Sequence, residues 1–123
     1  ANKAQEQTAA VLTANPDIKG MFATNTFGAL GAGAAIDNAN LSGSVEVALF
    51  DASEENIGYL KAGTVSLVIA QKPADMGYLG VVTAVANARG VVSTPKRIGT
   101  GYAVINAQNV DDPEIAKFIY KSN

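Results

Sequence analysis

The chain has 123 residues, of which 48% are hydrophobic and 16% charged, and its formal net charge is −2. This length and composition suit one globular domain with a real hydrophobic core and exclude a disordered chain. The nine lysines and arginines are scattered, which argues against nucleic-acid binding, and the absence of cysteine and histidine excludes thiol nucleophiles, Cys/His zinc sites and imidazole bases.

The predicted elements alternate between helices and short apolar strands. In chain order they are a helix at 4–16, a strand at 18–24, a helix at 27–39, a strand at 45–51, a helix at 53–63, a strand at 65–71, a helix at 73–88, an extended stretch with turns at 91–110 and a short terminal helix at 111–123. Apolar strands that alternate with helices indicate a parallel sheet covered on both faces. We therefore predict a single α/β lobe over residues 1–123, a three-layer sandwich with a mainly parallel sheet.

Local signals mark where several helices begin and end. In the first helix Ala4, Thr8, Val11 and Leu12 fall on one face, and Pro16 ends it. Ser53 is a candidate N-cap, and Gly63 marks the end of the helix that it begins. Pro73 and Pro113 stand in the first turns of two later helices.

Polar side chains stand at the carboxyl ends of the three predicted parallel strands. They are Asn25, Asp51 and Gln71. Ligands of open parallel sheets bind beyond these strand ends, so we expect the three side chains to converge on one rim. A carboxylate and two amides suit a neutral polyhydroxylated ligand, since each hydroxyl both donates and accepts. We expect a binding protein that is not an enzyme and that uses neither a metal nor a cofactor.

The segment FATNTFGALGAG (22–33) raises the alternative of a dinucleotide-binding turn. Gly28, Gly31 and Gly33 lie near a helix start, and Asp51 follows at about the distance of a ribose-binding acid. The first glycine of such a turn comes directly after the strand, whereas here residues 24–27 intervene. We favour the interpretation that these glycines lie inside the helix and let helix and sheet approach closely.

Asp51 also has simpler interpretations. A single aspartate at a strand end is often a turn former or helix cap. It does not fit the phosphoacceptor of a receiver-type domain, because Asp17 lies at the wrong end of its strand and Lys72 alone is weak support.

Several segments in a fixed order resemble the carboxyl-terminal part of the type I periplasmic solute-binding proteins, the ribose and galactose receptor class of sugar ABC transporters. They are TANPDIKGMFATN (13–25), the Ala/Gly-rich helix after it, VEVALFDAS (45–53), LKAGTVSLVIAQKPADMGYLGV (60–81) and NVDDPEIAKFIY (109–120). The resemblance covers essentially the whole chain. One departure is Thr26, where the family often has an acid.

The resemblance implies a two-lobed receptor that closes around a monosaccharide and then signals to a membrane permease. This chain would supply an incomplete second, Rossmann-like lobe, with Asn25, Asp51 and Gln71 as its ligand-binding residues. The amino-terminal lobe and the first strand and helix of the second lobe are expected to be missing from it. The parent would be exported, to the periplasm or outside the cell, with or without a lipid anchor.

The resemblance also implies that the chain crosses the hinge after Gln71, so that residues 72–105 pack on the other lobe. The helix at 73–88 carries apolar residues that point in several directions, as in a helix buried on more than one side. Alone, the chain should expose an apolar patch, and it should pair with its missing half or self-associate through this helix.

Two other functions remain open at this point. One is the effector-binding domain of a lactose-repressor-type transcription regulator, which shares the fold. The other is a dinucleotide-binding half of an enzyme, which requires a glycine turn that this chain does not place correctly.

Overall fold

The computed structural model describes residues 1–91 and 93–121. Its elements are α1 (Asn2–Ala14), β1 (Gly20–Ala23), α2 (Thr26–Asn38), β2 (Glu46–Phe50), α3 (Glu54–Lys61), β3 (Leu67–Gln71), α4 (Pro73–Ala88), β4 (Tyr102–Asn106) and α5 (Pro113–Ala116). The predicted stretches 91–110 and 111–123 include Val92, Ser122 and Asn123, which lie outside the described residues. Within the rest of these stretches, the first contains β4 and the second contains α5, with Pro113 in its first turn.

The predicted markers of α3 are confirmed. The Ser53 side chain accepts a hydrogen bond from the Asn56 backbone N–H and so caps the helix. Gly63, just past the end of the helix, has φ 76°, a left-handed conformation that costs glycine nothing. The helix that follows β3 begins at Pro73 and ends at Ala88, as the sequence predicts.

The four strands form one sheet in the order β1-β2-β3-β4. The first three strands are parallel, and β4 runs antiparallel to β3. The α/β class with a mainly parallel sheet is therefore confirmed. Because crossovers between parallel strands are right-handed, a sheet that always grows in the same direction places α2 and α3 on the same face. Helix α1 packs against α2 on that side.

The hydrophobic core lies between these helices and one face of the sheet. Alternate strand residues are buried there, among them Val47, Leu49, Val68 and Ile105. The residues between them point the other way and stay partly or largely exposed: Phe22, Ala48, Phe50, Ile69, Tyr102 and Val104. Within the described ranges the chain therefore builds two layers of the predicted three-layer sandwich, and the second face of the sheet is left open.

One residue of α1 departs from its predicted face. Leu12 is buried, and Ala4 and Thr8 are half-buried on the same side, but Val11 is 47% exposed. The buried side of α1 is centred on positions 5, 8 and 12, and position 11, about 100° round the helix from Leu12, lies at its edge beside Ala4.

Gly31 and Gly33 of α2 make room for other helices, which corrects the expectation that the glycines let helix and sheet approach. A Cβ at Gly31 would lie 2.6 Å from Ala4 Cβ and 2.7 Å from the Ala1 carbonyl oxygen, both belonging to α1 or its cap. A Cβ at Gly33 would lie 2.5 Å from the Tyr59 ring of α3. Alanines and Ile36 on the same helix are the residues buried in the core.

Gly31→Ala is expected to destabilise the fold by about 1–3 kcal/mol, the cost typical of overpacking, because the added methyl meets backbone atoms of α1 that cannot rotate away. Gly58→Ala is the matched control, since a Cβ there meets nothing within 4 Å, and it should stabilise α3 by about 0.5–1 kcal/mol. Urea unfolding of both variants measures this difference. Equal effects of the two substitutions would contradict the assigned helix contact.

Helix α4 makes few contacts with the rest of the described chain. None of its residues is buried, and Tyr78 and Val81 are 70% and 65% exposed. A groove of about 570 Å³ separates α4 from residues 94–100 and includes neither Asp51 nor Gln71. The apolar patch expected of this helix is thus present. Among the helices of the described ranges, none is both long and apolar enough to cross a membrane.

Candidate functional site

The predicted site residues lie at the carboxyl edge of the parallel strands. Asp51 directly follows β2, Gln71 is the last residue of β3, and Asn25 lies between β1 and α2. The parallel pairing of these strands brings their ends to one edge of the sheet.

The Asp51 carboxylate accepts four hydrogen bonds from the protein. Oδ2 accepts from the Thr26 backbone N–H at 3.0 Å and from Thr26 Oγ1 at 2.9 Å. Oδ1 accepts from Gln71 Nε2 at 2.6 Å and from the Tyr120 hydroxyl at 3.2 Å. The residue is 9% exposed, so neutral donors rather than bulk water solvate most of its charge.

The backbone of Asp51 adopts a conformation that few non-glycine residues take. Its φ is 78°, in the left-handed region, where aspartate and asparagine are the most tolerant residues after glycine. Two hydrogen bonds hold it there: its N–H donates to the Ile69 carbonyl at 2.9 Å, and its carbonyl accepts from Asn56 Nδ2 at 2.8 Å. Such conformations persist where the surroundings fix them, and they concentrate at functional sites.

Tyr120 ties the carboxyl-terminal segment to the loops after β2 and β3. Its backbone N–H donates to the Ala52 carbonyl at 2.8 Å. Its hydroxyl accepts from the Gln71 backbone N–H at 3.0 Å and donates to Asp51. One side chain therefore satisfies a strand-end donor and a charged acceptor together.

Burial raises the pKa of the Tyr120 phenol above its ordinary value, the Gln71 backbone N–H partly opposes this rise, and the negative charge of Asp51 adds to it. Because the unfolded chain loses this proton first, near its ordinary pKa of about 10, the stabilisation is complete below that pH and is lost as pH rises through the folded-state pKa. We expect the free energy of unfolding to fall less steeply with rising pH in Tyr120→Phe than in the wild type.

Urea titrations at a series of pH values above neutrality measure this slope. Tyr59→Phe is the control, because the Tyr59 hydroxyl makes no hydrogen bond within the part of the chain that the structure describes. The assignment fails if Tyr120→Phe keeps the wild-type slope.

Asn25 is placed beside this network rather than in it. Its Oδ1 accepts from the Gly28 backbone N–H at 2.9 Å and caps α2. The side chain is exposed, and its Nδ2 donates to no acceptor among residues 1–91 and 93–121. The structure thus joins Asp51 and Gln71 directly, and it places Asn25 next to them through the adjoining Thr26.

Two members of the network, Thr26 and Tyr120, were not among the predicted site residues. Thr26 had a signal in the sequence, because it stands where the resembling family often has an acid. An acid side chain there could not donate to Asp51, whereas threonine can. No signal in the sequence pointed to Tyr120, since it lies 69 residues beyond Asp51 along the chain.

The geometry of α2 does not fit the dinucleotide alternative. Gly28 lies in the first turn of the helix behind an asparagine cap, and Gly31 and Gly33 are packed against α1 and α3. In the described ranges, no group of three or more acidic, His or Cys side chains could hold a metal ion.

The site offers hydrogen bonds and a single unpaired negative charge. The ion pairs Lys61–Asp111 and Lys117–Glu114 are exposed, and neither involves a residue of the network. A groove of about 490 Å³ on the open sheet face reaches Gln71 and is lined by apolar and aromatic side chains such as Phe50 and Tyr102. These groups can orient a neutral polar ligand.

Comparison with known proteins gives consistent matches. Residues 1–91 match the family model of the periplasmic binding protein domain. The chain is 35% identical over 79 residues to the D-allose-binding periplasmic protein of Escherichia coli (strain K12), and 38% identical over 74 residues to the ribose import binding protein RbsB of Haemophilus influenzae. These matches cover 64% and 60% of this chain, respectively, and 25% of each relative.

Solved structures agree over a longer stretch. An ABC transporter solute-binding protein from Agrobacterium vitis, bound with α-D-tagatopyranose, superposes with a TM-score of 0.92 at 45% identity, covering 98% of this chain and 40% of that one. A second from the same organism, with bound D-fucose, gives 0.86 at 35% identity, covering 95% and 40%. The chain thus spans well under half the length of these structures.

Proposed function

Because the chain belongs to the periplasmic binding protein family, we propose that it is the carboxyl-terminal lobe of a sugar-binding receptor that serves an ABC transporter. The observation that carries the proposal is the Asp51 carboxylate, held by neutral donors at the carboxyl edge of a parallel sheet. Such an edge is where open α/β sheets bind their ligands.

The chemistry of the site favours a monosaccharide. Asp51 accepts hydrogen bonds only, while the amides of Asn25 and Gln71 both donate and accept. Sugar hydroxyls need both kinds of partner, and a charged acceptor strengthens each bond it receives. The solved relatives named above hold tagatose and fucose, which are both monosaccharides.

We propose that Asn25, Asp51 and Gln71 bind one side of the sugar and that a preceding lobe binds the other. Closure of two lobes around a ligand is a common switching device, and it would present a closed surface to the permease. Residues 72–105, which include the exposed helix α4, would pack on that lobe.

The family and the relatives favour an exported protein. The Escherichia coli relative is a periplasmic protein by name, and this chain is proposed to work in the periplasm or outside the cell, with or without a lipid anchor. The matches are to solute-binding proteins, so an effector domain of a repressor is less favoured, and so is half of a dinucleotide-dependent enzyme.

A thermal-shift panel tests the proposal on this chain joined to its amino-terminal lobe. The ligands are pentoses, hexoses and NAD. A ligand at 100 times its dissociation constant should stabilise the fold by about 2.7 kcal/mol. Stabilisation by a sugar and not by NAD is the expected result. Stabilisation by NAD alone, or by none of these ligands, would contradict it.

A further inference from the structure

The hydrogen bonds around Asp51 leave it no free acceptor. An ionised carboxylate offers about four lone-pair positions, and the protein fills each oxygen with two donors. A ligand hydroxyl can therefore reach Asp51 only if one of these donors leaves. Which donor leaves decides which residues hold the carboxylate in place.

Three of the four donors belong to Thr26 and Tyr120, which other parts of the structure hold in place. Thr26 is the first residue of α2, so its backbone N–H is set by the helix, and its hydroxyl lies on the same oxygen. Tyr120 is held through its own N–H on Ala52 and by the Gln71 backbone N–H on its hydroxyl.

The fourth donor, the Gln71 side-chain amide, is free to move. The side chain has three rotatable bonds and is only half-buried, and its amide makes no other hydrogen bond within the described ranges. The same side chain borders the groove on the open sheet face, which gives it space to rotate into.

We propose that Thr26 and Tyr120 are positioning residues of the ligand site, which hold the Asp51 carboxylate while the Gln71 amide gives up its bond to an incoming ligand hydroxyl. The inference rests on the proposed function and deepens it. Thr26 and Tyr120 do not touch the ligand, and they act through Asp51. Gln71 exchanges its carboxylate partner for the ligand.

Calorimetric titration with the sugar found in the panel, on this chain joined to its amino-terminal lobe, tests the two residues separately. Thr26→Val removes the hydroxyl and keeps the shape, and Thr26→Ser restores it. Thr26→Val and Tyr120→Phe should each weaken binding about ten-fold, the factor typical of one hydrogen bond to a charged group. Thr26→Ser and the control Tyr59→Phe should bind as the wild type does.

Nuclear magnetic resonance of the wild type gives a readout that needs no variant. On saturation with the sugar, the Gln71 side-chain amide signal should shift strongly. The backbone N–H groups of Thr26 and Gln71 should remain protected from hydrogen exchange, because their acceptors, Asp51 and Tyr120, stay in place.

The outcomes separate the two proposals. If the wild type binds a sugar but Thr26→Val and Tyr120→Phe bind it equally well or more tightly, these residues compete with the ligand or are irrelevant to it, and only the positioning inference fails. An unshifted Gln71 amide signal also overturns it. If the wild type binds no sugar, the proposed function fails and the inference fails with it.

Discussion

Asp51→Asn is expected to weaken sugar binding about 100-fold and to destabilise the fold by about 1–3 kcal/mol. Asparagine keeps the shape and tolerates the left-handed backbone at φ 78°, so backbone strain does not cause the effect. The effect comes instead from the amide NH2 group, which replaces one carboxylate oxygen. This group then faces other donors, either the two of Thr26 or those of Gln71 and Tyr120. At least one buried donor loses its acceptor, and the ligand loses its charged partner.

Calorimetry with the sugar and urea unfolding together measure this prediction. Asp37→Asn is the matched control, because Asp37 is exposed near the end of α2, and it should change neither quantity appreciably. Asp51→Gly is complementary, since glycine relaxes the backbone but leaves all four donors without an acceptor. It should weaken sugar binding at least as much as Asp51→Asn does. Sugar affinity at the wild-type level in Asp51→Asn would remove Asp51 from the site.

The strand-end residues could be predicted because topology alone fixes them. Apolar strands alternating with helices indicate parallel strands, and parallel strands end at one edge. The contact of Asp51 with Gln71 at 2.6 Å follows from that geometry. Their role as ligand-binding residues remains a prediction for the experiments above.

The other donors of the network could not be predicted in the same way. Tyr120 reaches Asp51 only because the terminal segment docks on the Ala52 carbonyl, which depends on tertiary packing rather than on any local pattern. The hydroxyl of Thr26 lies at a helix start, where threonine usually signals capping rather than a bond to a neighbouring strand end.

The open sheet face shows a limit of strand patterns. Ala48, Phe50 and Ile69 are as apolar as their buried neighbours, so the sequence predicts cover on both faces. Which faces of the sheet are covered by helices depends on strand order instead. The order β1-β2-β3 places both crossover helices on one face. The glycines of α2 show a similar limit, because their positions indicate close approach but not whether a sheet or another helix approaches.

Helix α4 is expected to make the isolated 123-residue chain self-associate. Tyr78, Val81, Val82 and Val85 are large apolar residues that are each at least 45% exposed along one helix. Of the apolar residues that point in several directions around α4, those at positions 78, 81 and 85 fall on one side at helical spacing and form a continuous stripe. Continuous exposed apolar patches mark interaction surfaces. The partner proposed above for the apolar stripe of α4 is the amino-terminal lobe.

Sedimentation velocity of the isolated chain over a range of concentrations measures the association. Lysine at both Val81 and Val85 should weaken it about ten-fold or more, because burying two charges in an apolar contact is costly. Val11→Lys is the control for a single exposed valine, since Val11 is 47% exposed on α1 and Val85 is 45% exposed. Joining the amino-terminal lobe should suppress association of the wild type by covering the same stripe. A chain that stays monomeric at every concentration, with α4 exposed to solvent, would contradict the prediction that this helix forms an interface.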